Sequence, residues 1–289
     1  MIDVAGQLFT GLSIAAILLM VALGLAVIYG VTGVINLAHG EFVMLGAYAA
    51  WFAQSFLGLG LIESLPLVFL AVGLLGLAIE RSVIRWLYSR PLDTILATWG
   101  IGVVFQPLIR LSAGGELRYV ATPPSLEHSV VLLGVSISAY RAFVLIVALA
   151  AFAATWLLIF RTTLGLQLRA VTRNREVAES FGVNAGRVYA SVFAFGAALA
   201  GLAGALVAPL KSVAPEMGTT YVVEAFMVVV LGGVQSLFGT VASSALLGEL
   251  TAFIAYVSNY TIGKALVLLA VVILIRSRPR GLFTKAARA

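Results

Sequence analysis

Leu8-Phe-Thr-Gly-Leu-Ser-Ile-Ala-Ala-Ile-Leu-Leu-Met-Val-Ala-Leu-Gly-Leu-Ala-Val-Ile-Tyr29 carries no charged side chain over its whole length. About 20 such residues in a helix cross the hydrocarbon core of a bilayer. The adjoining stretch, Gly30-Val-Thr-Gly33-Val-Ile-Asn36-Leu-Ala-His39-Gly40-Glu41, is too polar for a lipid-facing helix and too apolar for an ordinary loop. Further apolar spans are expected at about 42–57, 65–79, 94–111, 142–160, 188–208 and 265–275, with an interrupted apolar region over 222–258. Of the 289 residues, 62% are hydrophobic and 10% charged, against about 25% charged in soluble domains. Mean hydropathy is +1.09. Such a chain cannot cover its surface in water, so its outside faces lipid. Backbone amides in hydrocarbon must bond internally, which leaves helical bundles or closed barrels. The runs are continuous and lack the alternation of barrel strands. The reading is an all-α, polytopic transmembrane bundle of roughly eight membrane segments, forming a single domain over 1–289.

Loops set the orientation. Basic residues concentrate at Arg81 to Arg90, at Arg161 to Arg187, and in the tail from Arg276 to Arg288. The positive-inside rule puts these in the cytoplasm. The stretch 112–140, read as turn and loop, then lies outside, as does the N-terminus. The opening residues include Asp3 but no Lys or Arg, unlike a cleavable signal peptide, so the first span is expected to be retained. The net charge of +6 thus serves topology, and nucleic acid is not an expected partner.

Two breaks, at 30–41 and 231–240, suggest a path. Broken helices at membrane depth are tolerated where they are buried in protein or line a cavity. In transporters they often recur in two inverted halves. The first span enters from outside and the sixth from inside, as an inverted repeat requires.

Asn36, His39 and Glu41 form the densest polar cluster of the first half. Either they line the path, or Asn36 and Glu41 cap orphan amides of the broken helix. Thr94, Thr98, Trp99 and Gln106 suggest a polar stripe on the fourth span, for a solute or for interhelical bonds. Glu224, Gln235 and Glu249 are the polar groups of the second half. The small-residue run from Gly196 to Ala205 suggests close helix packing. The chain has no cysteine and two histidines, which excludes disulfides and leaves no companion ligands for a metal. An intramembrane enzyme finds no catalytic constellation. A self-contained channel or ion-coupled carrier would leave the charged segment from Glu176 to Gly182 without a purpose.

That segment contains Glu176-x-Ala178-x-x-x-Gly182, followed by Val183-Asn184. It resembles the cytoplasmic coupling loop of ABC import permeases. Together with Tyr29 to Glu41, Val228-Val-Val-Leu-Gly-Gly-Val-Gln-Ser-Leu-Phe-Gly-Thr240 and Arg278-Pro-Arg-Gly-Leu-Phe283, it makes the chain similar to permease subunits of branched-chain amino-acid and urea ABC importers. The resemblance implies a second related permease subunit, two cytoplasmic ATPase subunits, an external binding protein and the bacterial inner membrane. It implies that Arg173, Asn174, Glu176, Ala178, Gly182 and Asn184 meet the ATPase, and that ATP is used by the partners. The chain itself lacks Gly-x-x-x-x-Gly-Lys-Ser/Thr, the loop that cradles nucleotide phosphates. Arg90-Pro-Leu-Asp-Thr-Ile-Leu-Ala-Thr-Trp-Gly100 is more similar to the urea branch, and Pro215 to Phe226 more weakly so. Urea is therefore the expected solute, with branched-chain amino acids as the alternative.

Overall fold

The computed structural model describes residues 2–132, 135–277 and 281–283. The basic tail residues Arg278, Arg280, Lys285 and Arg288 lie outside them. Eleven α-helices are present among the described residues: α1 Ile2–Thr32, α2 His39–Leu57, α3 Leu61–Ser82, α4 Pro91–Ala113, α5 Ala139–Arg161, α6 Thr163–Arg173, α7 Arg175–Ser180, α8 Ala185–Val207, α9 Met217–Gly232, α10 Leu237–Val257 and α11 Tyr260–Ser277. A short antiparallel hairpin, β1 Ser129–Leu132 and β2 Val135–Ser138, precedes α5. Sequence reading takes this stretch as loop, because two four-residue strands carry too short a pattern to register.

Six helices are long and apolar enough to cross a membrane by length and composition: α1, α3, α4, α5, α8 and α10. The interrupted region at 222–258 resolves into α9 and α10, separated at residues 233–236. α1 lies at the centre, with 83% of its apolar window buried, whereas α4 has 11% and stands at the rim.

The loops gather at two ends. At the basic end, Val27 of α1, Ile159 of α5, Leu168 of α6, Ala178 of α7 and Val188 of α8 share one apolar cluster. The Tyr88 ring there lies 4.8 Å from Tyr189, and the Tyr88 hydroxyl donates to Glu80 Oε1 at 3.0 Å. Burial, and next the Glu80 carboxylate, push the Tyr88 hydroxyl upward in pKa, so it stays a donor to that buried acid. At the hairpin end, Gln54 Nε2 donates to the Ala121 carbonyl, Arg118 pairs its backbone with Val213, and Arg110 forms an ion pair with Glu216.

Packing partners repeat across two inverted sets. α1 packs on α10 as α8 packs on α3, and α2 meets α3 as α9 meets α10. α1 and α8 also pack on each other, as do α2 and α9. α1 runs from the hairpin end to the basic end, and α8 runs the other way. The chain thus contains α1–α4 and an inverted counterpart, α8–α11. In this order the break at 33–38 corresponds to the connection 208–216, after α8. The break at 233–236 corresponds instead to the α2–α3 turn. Gly58 and Gly233, with φ of 64° and 92°, close α2 and α9 at these matching turns. The left-handed region costs side chains more than glycine. The pairing of 30–41 with 231–240 is corrected accordingly.

Glycine lets the central backbones touch. A Cβ at Gly40 would overlap the Gly218 carbonyl, and one at Gly24 would overlap that of Gly196. Gly204 of the small-residue run meets the backbone of Val43 and Ala47 in the same way, and Gly201 makes room for the Val72 side chain. Apolar side chains gain no hydrophobic energy from association in lipid, so close backbone approach supplies the packing.

Candidate functional site

The densest polar group lies where the chain re-enters the bundle after α1. Residues 33–38 turn back, and α2 starts beside the middle of α1. His39 is fully buried, with Nε2 2.9 Å from the Val21 carbonyl. A carbonyl only accepts, so Nε2 carries the proton and Nδ1 is left as an acceptor. Asn36 is equally buried, and its Oδ1 accepts from the Ala38 amide at 3.0 Å. This bond closes the turn ahead of α2, whose N-cap residue, Ala38, has no side-chain cap bond. Glu41 bonds differently, since its Oε1 accepts from Gln106 Nε2 on α4 at 3.0 Å.

α4 serves this break from outside. Thr98 Oγ1 accepts from the orphan Leu37 amide at 3.1 Å and donates to the Thr94 carbonyl at 2.9 Å. Thr94 itself bonds the carbonyls of Leu87 and Arg90. Gly102 lies against the Glu41 carboxyl. The inward stripe is therefore Thr94, Thr98, Gly102 and Gln106, spaced by one helical turn. Trp99 is 61% exposed and leaves the stripe, because one step around a helix turns a side chain by about 100°. Three buried atoms of the group have no protein hydrogen-bond partner among the described residues: Asn36 Nδ2, His39 Nδ1 and Glu41 Oε2. One donor and two acceptors are thus left to a polar guest.

The second-half residues fall elsewhere. Gln235 is exposed in the turn between α9 and α10, away from the group. Glu224 on α9 forms an ion pair with Lys264 on α11. This parallels the first half, where the α2 carboxylate Glu41 reaches α4. Glu249 stands half-buried on α10 beside Gly11 of α1.

The basic end carries a second feature. Asn174 closes α6 and caps α7, its Oδ1 accepting from the Val177 amide at 3.0 Å. Asn184 caps α8 through the Arg187 amide at 2.9 Å. Between them Gly182 takes φ 83°, which lets the chain turn from α7 into α8. Ala178 is buried and pins α7 to the bundle. Arg173, Glu176, Val177 and Phe181 face outward, with Phe181 83% exposed.

Residues 7–276 match the family described as the branched-chain amino acid transport system permease component. The chain belongs to that family. The permease is 31% identical over 262 residues to the high-affinity branched-chain amino acid transport system permease protein BraD of Pseudomonas aeruginosa, covering 86% of this chain and 85% of the relative. It is 31% identical over 260 residues to LivH of Salmonella typhimurium, covering 84% and 83%. LivM of Salmonella typhimurium is 28% identical over 258 residues, covering 80% of this chain and 60% of that protein. No solved structure matches. The permease is a multi-pass membrane transport subunit, not an enzyme.

Sequence reasoning missed Gly102, because a glycine carries no polar signal. It also missed Lys264, whose charge marks a partner only once α9 and α11 lie side by side.

Proposed function

We propose that this chain is one permease subunit of an ATP-driven importer of branched-chain amino acids. The observation that carries the substrate is the relatedness to BraD and LivH over most of both chains. The urea reading rests on the segment 90–100 and, more weakly, on 215–226. In 90–100, Thr94 and Thr98 spend their hydroxyls on backbone groups and Trp99 turns outward. These side chains therefore offer urea little, and the relatives support the alternative solute better.

The importer would comprise a related second permease subunit, two cytoplasmic ATPases and an external binding protein. The basic end would face the cytoplasm, with the N-terminus outside. α7, rigidly capped at Asn174 and pinned at Ala178, would receive the ATPase stroke through Arg173, Glu176, Val177 and Phe181. The stroke would pass through α8 to the Gly24–Gly196 contact, where the two inverted sets rock against each other. The polar group at Asn36, His39 and Glu41 would border the path, and its unpaired atoms would meet water or solute there. Glu224 would border it on the α9 side.

The test is ATP-dependent uptake of radiolabelled leucine and urea into proteoliposomes holding the complete complex. Leucine without urea is the expected result. Urea without leucine would overturn the substrate, and uptake of neither would overturn the importer reading.

A further inference from the structure

At the basic end, where α5 turns into α6, two guanidiniums are set on a pair of aromatic rings. Trp156 and Phe160, one helical turn apart on α5, have ring centroids 5.7 Å apart. Arg161 lies over the Trp156 ring at 5.9 Å, and Arg169 of α6 lies over the Phe160 ring at 5.4 Å. Arg169 also donates to the Ile159 carbonyl, one of the terminal carbonyls that a helix leaves without an internal partner, and so braces the elbow. No Asp or Glu occurs between Glu127 and Glu176. Among the described residues neither guanidinium joins an ion pair. A ring attracts the cation without using up its N–H donors, and phosphate is an anion that the guanidinium fork engages two bonds at a time. Most of the apolar window of α5 is exposed. Ile146, Leu149, Ala153, Leu157 and Phe160 form an exposed stripe at helical spacing, which leads to the two cations. The stripe runs about 21 Å along the helix, more than half the thickness of a hydrocarbon core of about 30 Å.

Cations at one end of a long apolar stripe, with aromatic rings at the junction, match an amphiphile with an anionic head. Aromatic side chains near the end of a spanning helix mark headgroup depth, and Arg side chains there extend to the same level. We propose that the α5–α6 elbow binds an anionic glycerophospholipid of the leaflet at the basic end. Arg161 and Arg169 hold its phosphate, Trp156 and Phe160 pack beneath its glycerol, and an acyl chain lies along the stripe from Leu157 to Ile146. A free phosphate would leave the stripe uncovered, and a zwitterionic lipid would bring its own cation up to the two guanidiniums. The bound lipid ties α6 to α5 ahead of α7. The site depends on the membrane placement of α5 and not on which solute is carried.

Trp156 reports on its own site. Its share of the tryptophan fluorescence is the difference between the complete complex and the same complex carrying Trp156→Phe. In phosphatidylcholine proteoliposomes, phosphatidylglycerol with brominated acyl chains is expected to quench this share at a lower mole fraction than brominated phosphatidylcholine does. Arg161→Gln, at an exposed side chain, is expected to raise the half-quenching fraction of the anionic lipid about five-fold, as for one basic residue at an anionic membrane surface. The half-quenching fraction of brominated phosphatidylcholine is expected to stay the same, which shows the elbow still folded. Arg161→Lys keeps the charge and is expected to recover most of the preference, and Arg169→Gln is expected to weaken it as Arg161→Gln does. Equal quenching by the two lipids overturns the proposal. So does quenching by neither, which would mean that another subunit covers this face. Unchanged preference in both glutamine variants overturns it too, and loss of the ATPase subunits from those variants on purification would then assign the patch to a protein partner. A preference abolished by inorganic phosphate at constant ionic strength would mean a site for the free anion instead of a lipid.

Discussion

Gln106 on α4 donates to Oε1 of Glu41 on α2 at 3.0 Å, across a boundary where the two helices otherwise touch little. With Thr98 on the Leu37 amide, it fastens a rim helix to the centre of the bundle by polar bonds instead of apolar packing. Gln106→Leu would leave Glu41 buried with neither oxygen paired. The expected cost is about 1–3 kcal/mol, read as a lower midpoint for heat-induced loss of the monodisperse complex in detergent. Glu41→Gln retains an amide partner and is expected to cost less. Equal midpoints for Gln106→Leu and the unaltered protein would show that the bond does not hold α4.

The two backbone crossings at Gly40–Gly218 and Gly24–Gly196 admit no Cβ without moving a carbonyl. Overpacking of this kind typically costs about 1–3 kcal/mol. Gly218→Ala is therefore expected to reduce the amount of folded protein recovered from membranes. Gly100→Ala, on α4 with nothing within 4 Å of its added methyl, is expected to leave recovery unchanged. The pair of variants separates steric conflict from any general effect of replacing glycine.

Legibility in the sequence follows from what each signal depends on. The spans are legible because length and apolarity are local, and the structure extends them by a few residues at their ends: 8–29 becomes Ile2–Thr32, and 65–79 becomes Leu61–Ser82. The break at 33–38 is legible because Asn36, His39 and Glu41 violate the apolar run. The inverted repeat is legible only in part. Its direction follows from topology, but the match of 33–38 with 208–216 appears only when α1 is seen on α10 and α8 on α3. The site suffers similarly. Thr98 and Trp99 are neighbours in the chain and face different ways on the helix. Glu224 and Lys264 are 40 positions apart and face each other only across α9 and α11.

Orientation is testable on the cysteine-free background of the chain. Glu127, exposed at the hairpin end, and Phe181, exposed at the basic end, lie on opposite sides of the bundle. In intact cells a membrane-impermeant maleimide is expected to label Glu127→Cys at once, and Phe181→Cys only after permeabilisation. The reverse pattern would invert the assignment that the basic loops imply.

The α7 segment offers the sharpest test of energy transfer. Its rigidity comes from two separable devices: the Asn174 cap, worth about 0.5–2 kcal/mol, and the left-handed Gly182, where a side chain costs about 1–2 kcal/mol. Neither lies in a helix long and apolar enough to cross a membrane, so weakening them is expected to leave the bundle assembled. Asn174→Ala with Gly182→Ala is expected to let α7 fray, so that ATP hydrolysis by the complex continues while leucine uptake falls several-fold. Phe181→Ser addresses the contact instead of the rigidity. The ring is 83% exposed and buries little in the isolated chain, so its loss is expected to spare thermal stability and weaken the hold of the ATPase subunits, read by co-purification. A frayed α7 that transports normally would show that motion reaches α8 by another route. Unchanged co-purification of Phe181→Ser would place the ATPase contact elsewhere on the basic end, with the exposed Leu164 and Leu166 of α6 as the next surface to alter.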